Sequence, residues 1–264
     1  MSERVQQTRT VWSAGDYPQI AERFEPVAEE LLDAVGEIAE FRLLDVAAGT
    51  GNVALAAAGR GASVLATDLT PRMVELGRAR GAAGGLEVEW CEADASALPL
   101  ADHSVDVITS CFGLMFVPDP PAAISELCRV LRPGGRLGIA NWEPNRVSQK
   151  LFEPLRRRRP LPPPDPDLGD WGRPEILELW LAAGFTGLVC QRRPFAWDFS
   201  SAQHAVDFFL SASPLHVSAL AELPAAEQAA VRTEMQAMLD QPSVGGRVSL
   251  SSPYLLATAK RASS

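Results

Sequence analysis

The chain has 264 residues, 47% hydrophobic and 22% charged, an ordinary composition for one α/β domain with a modest appendage. A net charge of −9 and a pI near 4.9 offer no attraction to a phosphate backbone, so nucleic acid is not an expected partner. The four cysteines, Cys91, Cys111, Cys128 and Cys190, form no CxxC pair, which argues for reduced buried thiols and against a disulfide framework or a metal site.

Met1 to Asp16 is polar and carries no secretory signal, and no apolar stretch approaches the roughly 20 residues a bilayer demands. A cytoplasmic protein with no membrane partner is expected. From Ile20 the apolar positions Ile20, Phe24, Val27, Leu31, Val35 and Ile38 recur every three or four residues, which predicts an amphipathic helix over about 18–38. Arg42 to Val46 reads as a strand opening into the loop Ala47-Ala48-Gly49-Thr50-Gly51, and Asn52 to Ala58 is helical again.

The unit repeats. Ser63 to Thr67 is a strand ending at Asp68, with Thr70 and Pro71 placed to start a helix whose inner face holds Met73, Leu76 and Ala79. Leu86 to Cys91 predicts a third strand ending near Asp94, and Val105 to Thr109 a fourth ending at Ser110-Cys111-Phe112. A helix over about 121–131 stops at Pro133-Gly134-Gly135, and Leu137 to Ala140 is the fifth strand. Strands alternating with helices at this rhythm imply a doubly wound α/β sheet, parallel and covered on both faces.

After Trp142 the pattern changes. A basic run, Arg156 to Arg159, precedes the proline-rich stretch Pro160 to Pro166, which suits neither regular helix nor central strand. The run reads as a solvated cluster or as a site for an anionic substrate tail. Glu175 to Ala183 is helical, and Gly187 to Gln191 and Tyr254 to Ala259 are the last strands. Between them Ser200 to about Gln241 has helical spacing, a long insertion where connections typically run about 4–6 residues. Its apolar Val206, Phe208, Phe209 and Leu210 require it to pack on something.

The chemistry concentrates at three strand ends. Gly49 and Gly51 let the first strand turn sharply into a helix and let a ligand approach the backbone, although a glycine turn alone can be only a turn. Asp68 places a carboxylate beside that loop, where two oxygens can take both hydroxyls of a ribose diol, or can simply complement a helix dipole. Asp94, after the third strand, can accept from the exocyclic amine of adenine or can be a solvated turn residue.

The segments Leu44 to Asn52, Ala66 to Met73, Glu92 to Pro99, Ser104 to Ile108 and Glu126 to Gly135 resemble, in order, class I S-adenosylmethionine-dependent methyltransferases. The resemblance is greatest to the ubiquinone/menaquinone-methyltransferase branch with its many small-molecule enzymes, and covers roughly residues 40–142. It implies a Rossmann-like, seven-stranded, mostly parallel sheet with an antiparallel final strand. The chain is expected to divide into an N-terminal helical lid (1–40), a cofactor-binding core (41–199 with 245–264) and, from the insertion, a helical cap (200–244).

The resemblance assigns S-adenosyl-L-methionine as cofactor and a small molecule, such as a natural product or quinone-like metabolite, as methyl acceptor at O, N or C. The backbone at Ala47, Gly49 and Gly51 would hold the methionine moiety, with Asp45 supporting the loop or meeting the amino group through water. Asp68 would take the ribose, Leu69 and Met73 would flank the adenine, and Asp94 and the Ala95 N–H would meet its edge. Ser110 and Phe112 would face the methionine end and the substrate. Ala47 departs from a frequent glycine and trims the space there.

Val11 to Tyr17 resembles the family's lid, in which a tyrosine closes over the cofactor; Trp12 and Tyr17 could equally be packing aromatics. His204 and His216, in the insertion, are the candidate bases should the acceptor carry a proton, and His103 reads as a solvated turn residue. A non-methylating enzyme such as a cyclase on the same fold is the alternative, since a fold does not set its chemistry. An NAD-dependent oxidoreductase is disfavoured because Ala47 to Asn52 lacks G-x-G-x-x-G.

Overall fold

Among the described residues, seven strands form one mixed sheet. The computed structural model describes residues 3–117, 119–144, 150–158, 170–239 and 246–263. Among them are β1 (Arg42–Val46), β2 (Ser63–Asp68), β3 (Glu89–Glu92), β4 (Val105–Cys111), β5 (Leu131–Trp142), β6 (Phe185–Arg193) and β9 (Tyr254–Arg261). In the sheet order β3-β2-β1-β4-β5-β9-β6, neighbours from β3 to β5 run parallel, and β9 runs antiparallel to both β5 and β6. The chain leaves β1 toward β2 and β3, then returns to lay β4 on the other side of β1. That reversal opens a crevice at the carboxyl ends of β1 and β4, where open α/β sheets bind ligands.

Helices α1 (Glu3–Trp12), α2 (Tyr17–Glu22), α3 (Glu25–Val35), α4 (Asn52–Gly59), α5 (Pro71–Gly84) and α6 (Pro120–Val130) precede or join these strands. The expected single helix over 18–38 is two. Pro26 has no N–H to give and occupies the first turn of α3, so the chain turns at Arg23-Phe24, and Gly36 closes α3 before Ile38. Its apolar stripe is nonetheless buried: Ile20, Phe24, Val27, Leu31, Val35 and Ile38 all lie in the core. β3 starts later than expected. β5 starts earlier, at Leu131, because the chain pairs there with Val105, passes Pro133-Gly134-Gly135 as an irregularity and resumes the ladder at Arg136.

The insertion is helical over Ala202–Ala212, Pro214–Ala221 and Ala225–Leu239. It rises from a second, two-stranded sheet, β7 (Ala196–Phe199) against β8 (Val248–Ser251), which the sequence reading did not anticipate. Ser201 caps the first of these helices by accepting from the His204 N–H at 3.1 Å. Two arginines of the basic run are paired: Arg157 with Glu234, and Arg158 with Glu227 and Glu234 on the third insertion helix. Arg159, Pro160 to Pro166 and residues 240–244 of the insertion lie outside the described residues.

The N-terminal segment docks on both bodies. Arg72 of α5 donates to the carbonyls of Ser13 and of Gly15, the latter at 3.1 Å. The Asp16 N–H donates to the Ser211 carbonyl at 3.2 Å, and the Ser218 hydroxyl to the Val11 carbonyl at 3.4 Å.

His216 is buried in this packing between the Phe152 and Phe209 rings, with Nδ1 sharing a 2.9 Å hydrogen bond with Ser213 Oγ. Burial penalises the imidazolium and pushes its pKa from 6.5 down to about 3. The neutral form is therefore the folded form. Its contribution is complete above pH 6.5 and is lost as pH falls from there toward 3, at roughly 1.4 kcal/mol per unit. Between pH 7.5 and 5.5 the wild type should lose about 1.4 kcal/mol more stability than His216→Phe, measured by urea titration. Parallel loss in the two proteins would place the acid sensitivity elsewhere.

Candidate functional site

The loop after β1 is built on left-handed backbone: Ala47, Gly49 and Gly51 have φ of 52°, 57° and 87°. Only glycine adopts this region without steric cost, so Ala47 carries strain that its neighbours must hold in place. Asp68, at the end of β2, braces the loop. Its Oδ2 accepts from the Gly49 N–H and its Oδ1 from the Thr70 N–H, both at 2.8 Å. Burial raises the Asp68 pKa while those two N–H groups draw it down.

Asp45 does the same work from below. Buried on β1, it accepts from the Ala54 N–H at 3.1 Å and the Thr109 hydroxyl at 3.0 Å. Thr109 is its register partner on β4. Burial pushes its pKa up to about 7 against those two bonds. After β3, the Asp94 Oδ1 accepts from the Ser96 N–H at 2.9 Å and the Ser96 hydroxyl at 2.7 Å.

These loops surround a narrow cavity of about 70 Å³. Of the expected residues, Tyr17, Ala47, Gly49, Asp68, Leu69, Met73, Asp94, Ala95 and Phe112 line it together. Asp45 does not; it borders a smaller adjoining cavity and ties the start of α4 to β4. Ser110 is buried with Oγ accepting from the Leu114 N–H at 3.3 Å, so it shapes the turn after β4 and does not line the cavity.

Gly51 also stands apart from the cavity. A Cβ there would lie 2.6 Å from the Trp90 ring, so the glycine serves the turn and its packing on Trp90. Neither histidine reaches the cavity. His204 is exposed on the first insertion helix, 3.0 Å from Ser200 Oγ, and His216 is enclosed by the insertion.

The sequence reading missed Thr8, Thr70, Cys111, Phe116 and Val117 as lining residues, and left Trp12 open between lid and packing roles. Phe116 and Val117 had a usable signal, since they follow a strand end in the same way as Asp68 and Asp94. Trp12 meets Tyr17 edge-on at 5.7 Å and Phe116 at 4.7 Å, and the Tyr17 ring lies 3.0–3.5 Å from the position of a Gly49 Cβ. Burial keeps the Tyr17 hydroxyl and the Cys111 thiol protonated well above their usual ranges.

None of the described lining residues is Lys, Arg or His; the charges present are the Asp68 and Asp94 carboxylates. A carboxylate braced by two N–H groups still offers lone pairs to a diol. The aromatic and acidic lining also suits a positively charged ligand. The donor set therefore fits a nucleoside carrying a sulfonium.

Gly51→Ala should cost roughly 2–4 kcal/mol of stability, from the left-handed backbone and the Trp90 overlap together. A urea midpoint unchanged from wild type would show that the loop relaxes freely around Trp90.

A family model described as a methyltransferase domain matches residues 44–139. An uncharacterized protein of Mycobacterium tuberculosis is 40% identical over 204 residues, 76% of this chain and 74% of that one. A demethylmenaquinone methyltransferase of Clavibacter sepedonicus is 47% identical over 109 residues, 41% of this chain and 44% of that enzyme. The crystal structure of a putative methyltransferase from Bacillus halodurans shares the fold, with TM-score 0.58 and 21% identity over 89% of this chain and 98% of that one. With the strand order, the glycine loop and its two carboxylates in place, the chain belongs to the class I S-adenosylmethionine-dependent methyltransferases.

Proposed function

We propose that the chain methylates a small molecule at O, N or C, using the cavity between Asp68 and Phe112 for the cofactor and the insertion as the wall of the acceptor site. The observation that carries this reading is Asp68, whose two oxygens hold the loops on either side of the cavity while facing into it. In this reading Asp68 takes the ribose hydroxyls, Leu69 and Met73 flank the adenine, and Asp94 with the Ala95 N–H meets its edge. The backbone of Ala47 and Gly49 receives the methionine end.

S-adenosylmethionine supplies a methyl group already activated by its sulfonium. The protein's own task is alignment and exclusion of water, which can contribute about 7–11 kcal/mol. Tyr17 and Trp12 close one side, and residues 1–40 act as the lid, 200–244 as the cap and the remainder as the core. Arg72 supports the lid assignment, because it holds the Ser13 and Gly15 carbonyls against α5. No histidine base is required in this arrangement; His204 and His216 serve the cap. The demethylmenaquinone methyltransferase named above supports a quinone-like acceptor, but its match covers less than half of either chain. Among the described residues no helix is long and apolar enough to cross a membrane.

The wild type should bind S-adenosylmethionine and S-adenosylhomocysteine with Kd near 1 μM, about −8 kcal/mol. Asp68→Ala should weaken both by roughly 1.5–3 kcal/mol, the scale of hydrogen bonds to a charged group. Calorimetry showing no binding to the folded wild type would refute the cofactor site. Binding without transfer of a radiolabelled methyl to any member of a phenol, amine and carbon-acid panel would refute the transfer reaction and leave a cyclase-like use of the cofactor.

A further inference from the structure

The cofactor cavity is lined from three neighbouring strand ends: the loop after β1, the turn from β2 into α5, and the end of β3. Trp90 belongs to the third and touches the other two. It stands on β3 opposite Ala66 of β2 and is buried, and it is not among the residues lining the cavity.

The outer edge of its ring is held between two glycines. A Cβ on Gly51, in the loop after β1, would stand 2.6 Å from Trp90 Cη2 and 2.9 Å from Cζ2. A Cβ on Gly77, in α5, would stand 2.0 Å from the same Cη2 and 2.4 Å from Cζ3. Carbon atoms in contact settle at about 3.5–4.0 Å, so neither position admits a side chain while the indole is in place. Gly77 is the more telling of the two. It lies inside a helix, where glycine is a poor choice, and its backbone is not left-handed, so the ring alone accounts for it. The Trp90 carbonyl also accepts from Arg78 of α5 at 3.4 Å, a second tie between β3 and that helix.

We propose that Trp90 is a positioning residue: its indole is the spacer that sets the distance between the loop after β1 and α5, and so fits the cavity to a ligand that spans both. The proposal rests on the cofactor reading above and deepens it. Ala47 and Gly49 line the cavity from the loop side, while Leu69 and Met73 line it from the start of α5. Between them the space is only about 70 Å³. A misplacement of about 1 Å can cost on the order of 100-fold where groups must be held in register. A nucleoside alone rests against Leu69, Met73 and Asp94 and is indifferent to the spacing. A nucleoside carrying an amino-acid tail reaches across to Ala47 and Gly49 and is not.

The test is calorimetry on the full chain with S-adenosylhomocysteine and with methylthioadenosine, the same nucleoside thioether without the amino-acid tail. Trp90→Phe ends short of the two glycines. It should weaken S-adenosylhomocysteine about tenfold and methylthioadenosine less than about threefold. Gly77→Ala drives a methyl into the ring from the helix side and should give the same split; either single variant carries the test if the other does not fold. A merely structural loss would weaken both ligands alike. In Trp90→Phe with Gly77→Ala the new methyl takes up room that the shorter ring vacates, so S-adenosylhomocysteine affinity should recover to within about threefold of wild type. Equal weakening of the two ligands, unchanged affinity for S-adenosylhomocysteine, or additive losses in the double variant would each overturn the spacer and leave the cofactor site standing. Failure of the folded wild type to bind S-adenosylhomocysteine would remove both readings together.

Discussion

The Asp68 carboxylate receives one N–H from the loop after β1 and another from the start of α5, and so joins two neighbouring strand–helix turns through a single buried group. An ionised carboxylate is expensive to bury, and charge-assisted bonds from oriented backbone N–H groups offset that expense. The arrangement has a directional consequence. With the inner lone pairs engaged by the scaffold, the outer ones can only face the cavity, so the group is aimed before any ligand arrives. Asp45 repeats the device one strand deeper, where the Thr109 hydroxyl across the β1–β4 junction and the Ala54 N–H hold it. Two carboxylates thus stand behind one loop, and the strained φ of Ala47 persists because both ends of that loop are held.

Much of this architecture was legible in the residues. Strand ends at Asp68 and Asp94 could be read because apolar runs stop there and a polar side chain follows. The glycine loop could be read because left-handed turns leave few other choices. What glycine did there was less legible. Gly49 faces the Tyr17 ring and the cavity, while Gly51 faces Trp90, a residue 39 positions away whose contact no local pattern announces. The broken helix at Phe24 shows a competing signal: the apolar stripe was correct, yet Pro26 governs the backbone.

The insertion was legible as helical and apolar but not as a body with its own foundation. β7 and β8 are four-residue strands separated by the whole of it, and pairing between them is a long-range event invisible to local spacing. The same limit applies to the histidines. Their position in the chain suggested a place over the cofactor, but one faces solvent and the other is enclosed by Phe152 and Phe209. Arg157 and Arg158 likewise read as a solvated cluster or an anion site, and no local spacing announces Glu227 and Glu234, which pair with them.

The seam between the N-terminal segment and the cap has a consequence for how the chain reaches this state. The Ser218 hydroxyl meets the Val11 carbonyl across 207 positions of sequence, and Asp16 meets Ser211 in the same way. During synthesis at about 5–20 residues per second, the first helix would wait roughly 10–40 s before the cap half of its docking surface exists. Contacts of such sequence separation form late and slowly, because chain entropy is lost before they stabilise anything. The strands from β1 to β5 have no such dependence and can assemble while Trp12 and Tyr17 are still undocked. Closure of the cavity from the cap side thus follows assembly of β1 to β5, and a molecule truncated before the cap would lack β9 and leave those strands with the ligand crevice open to water.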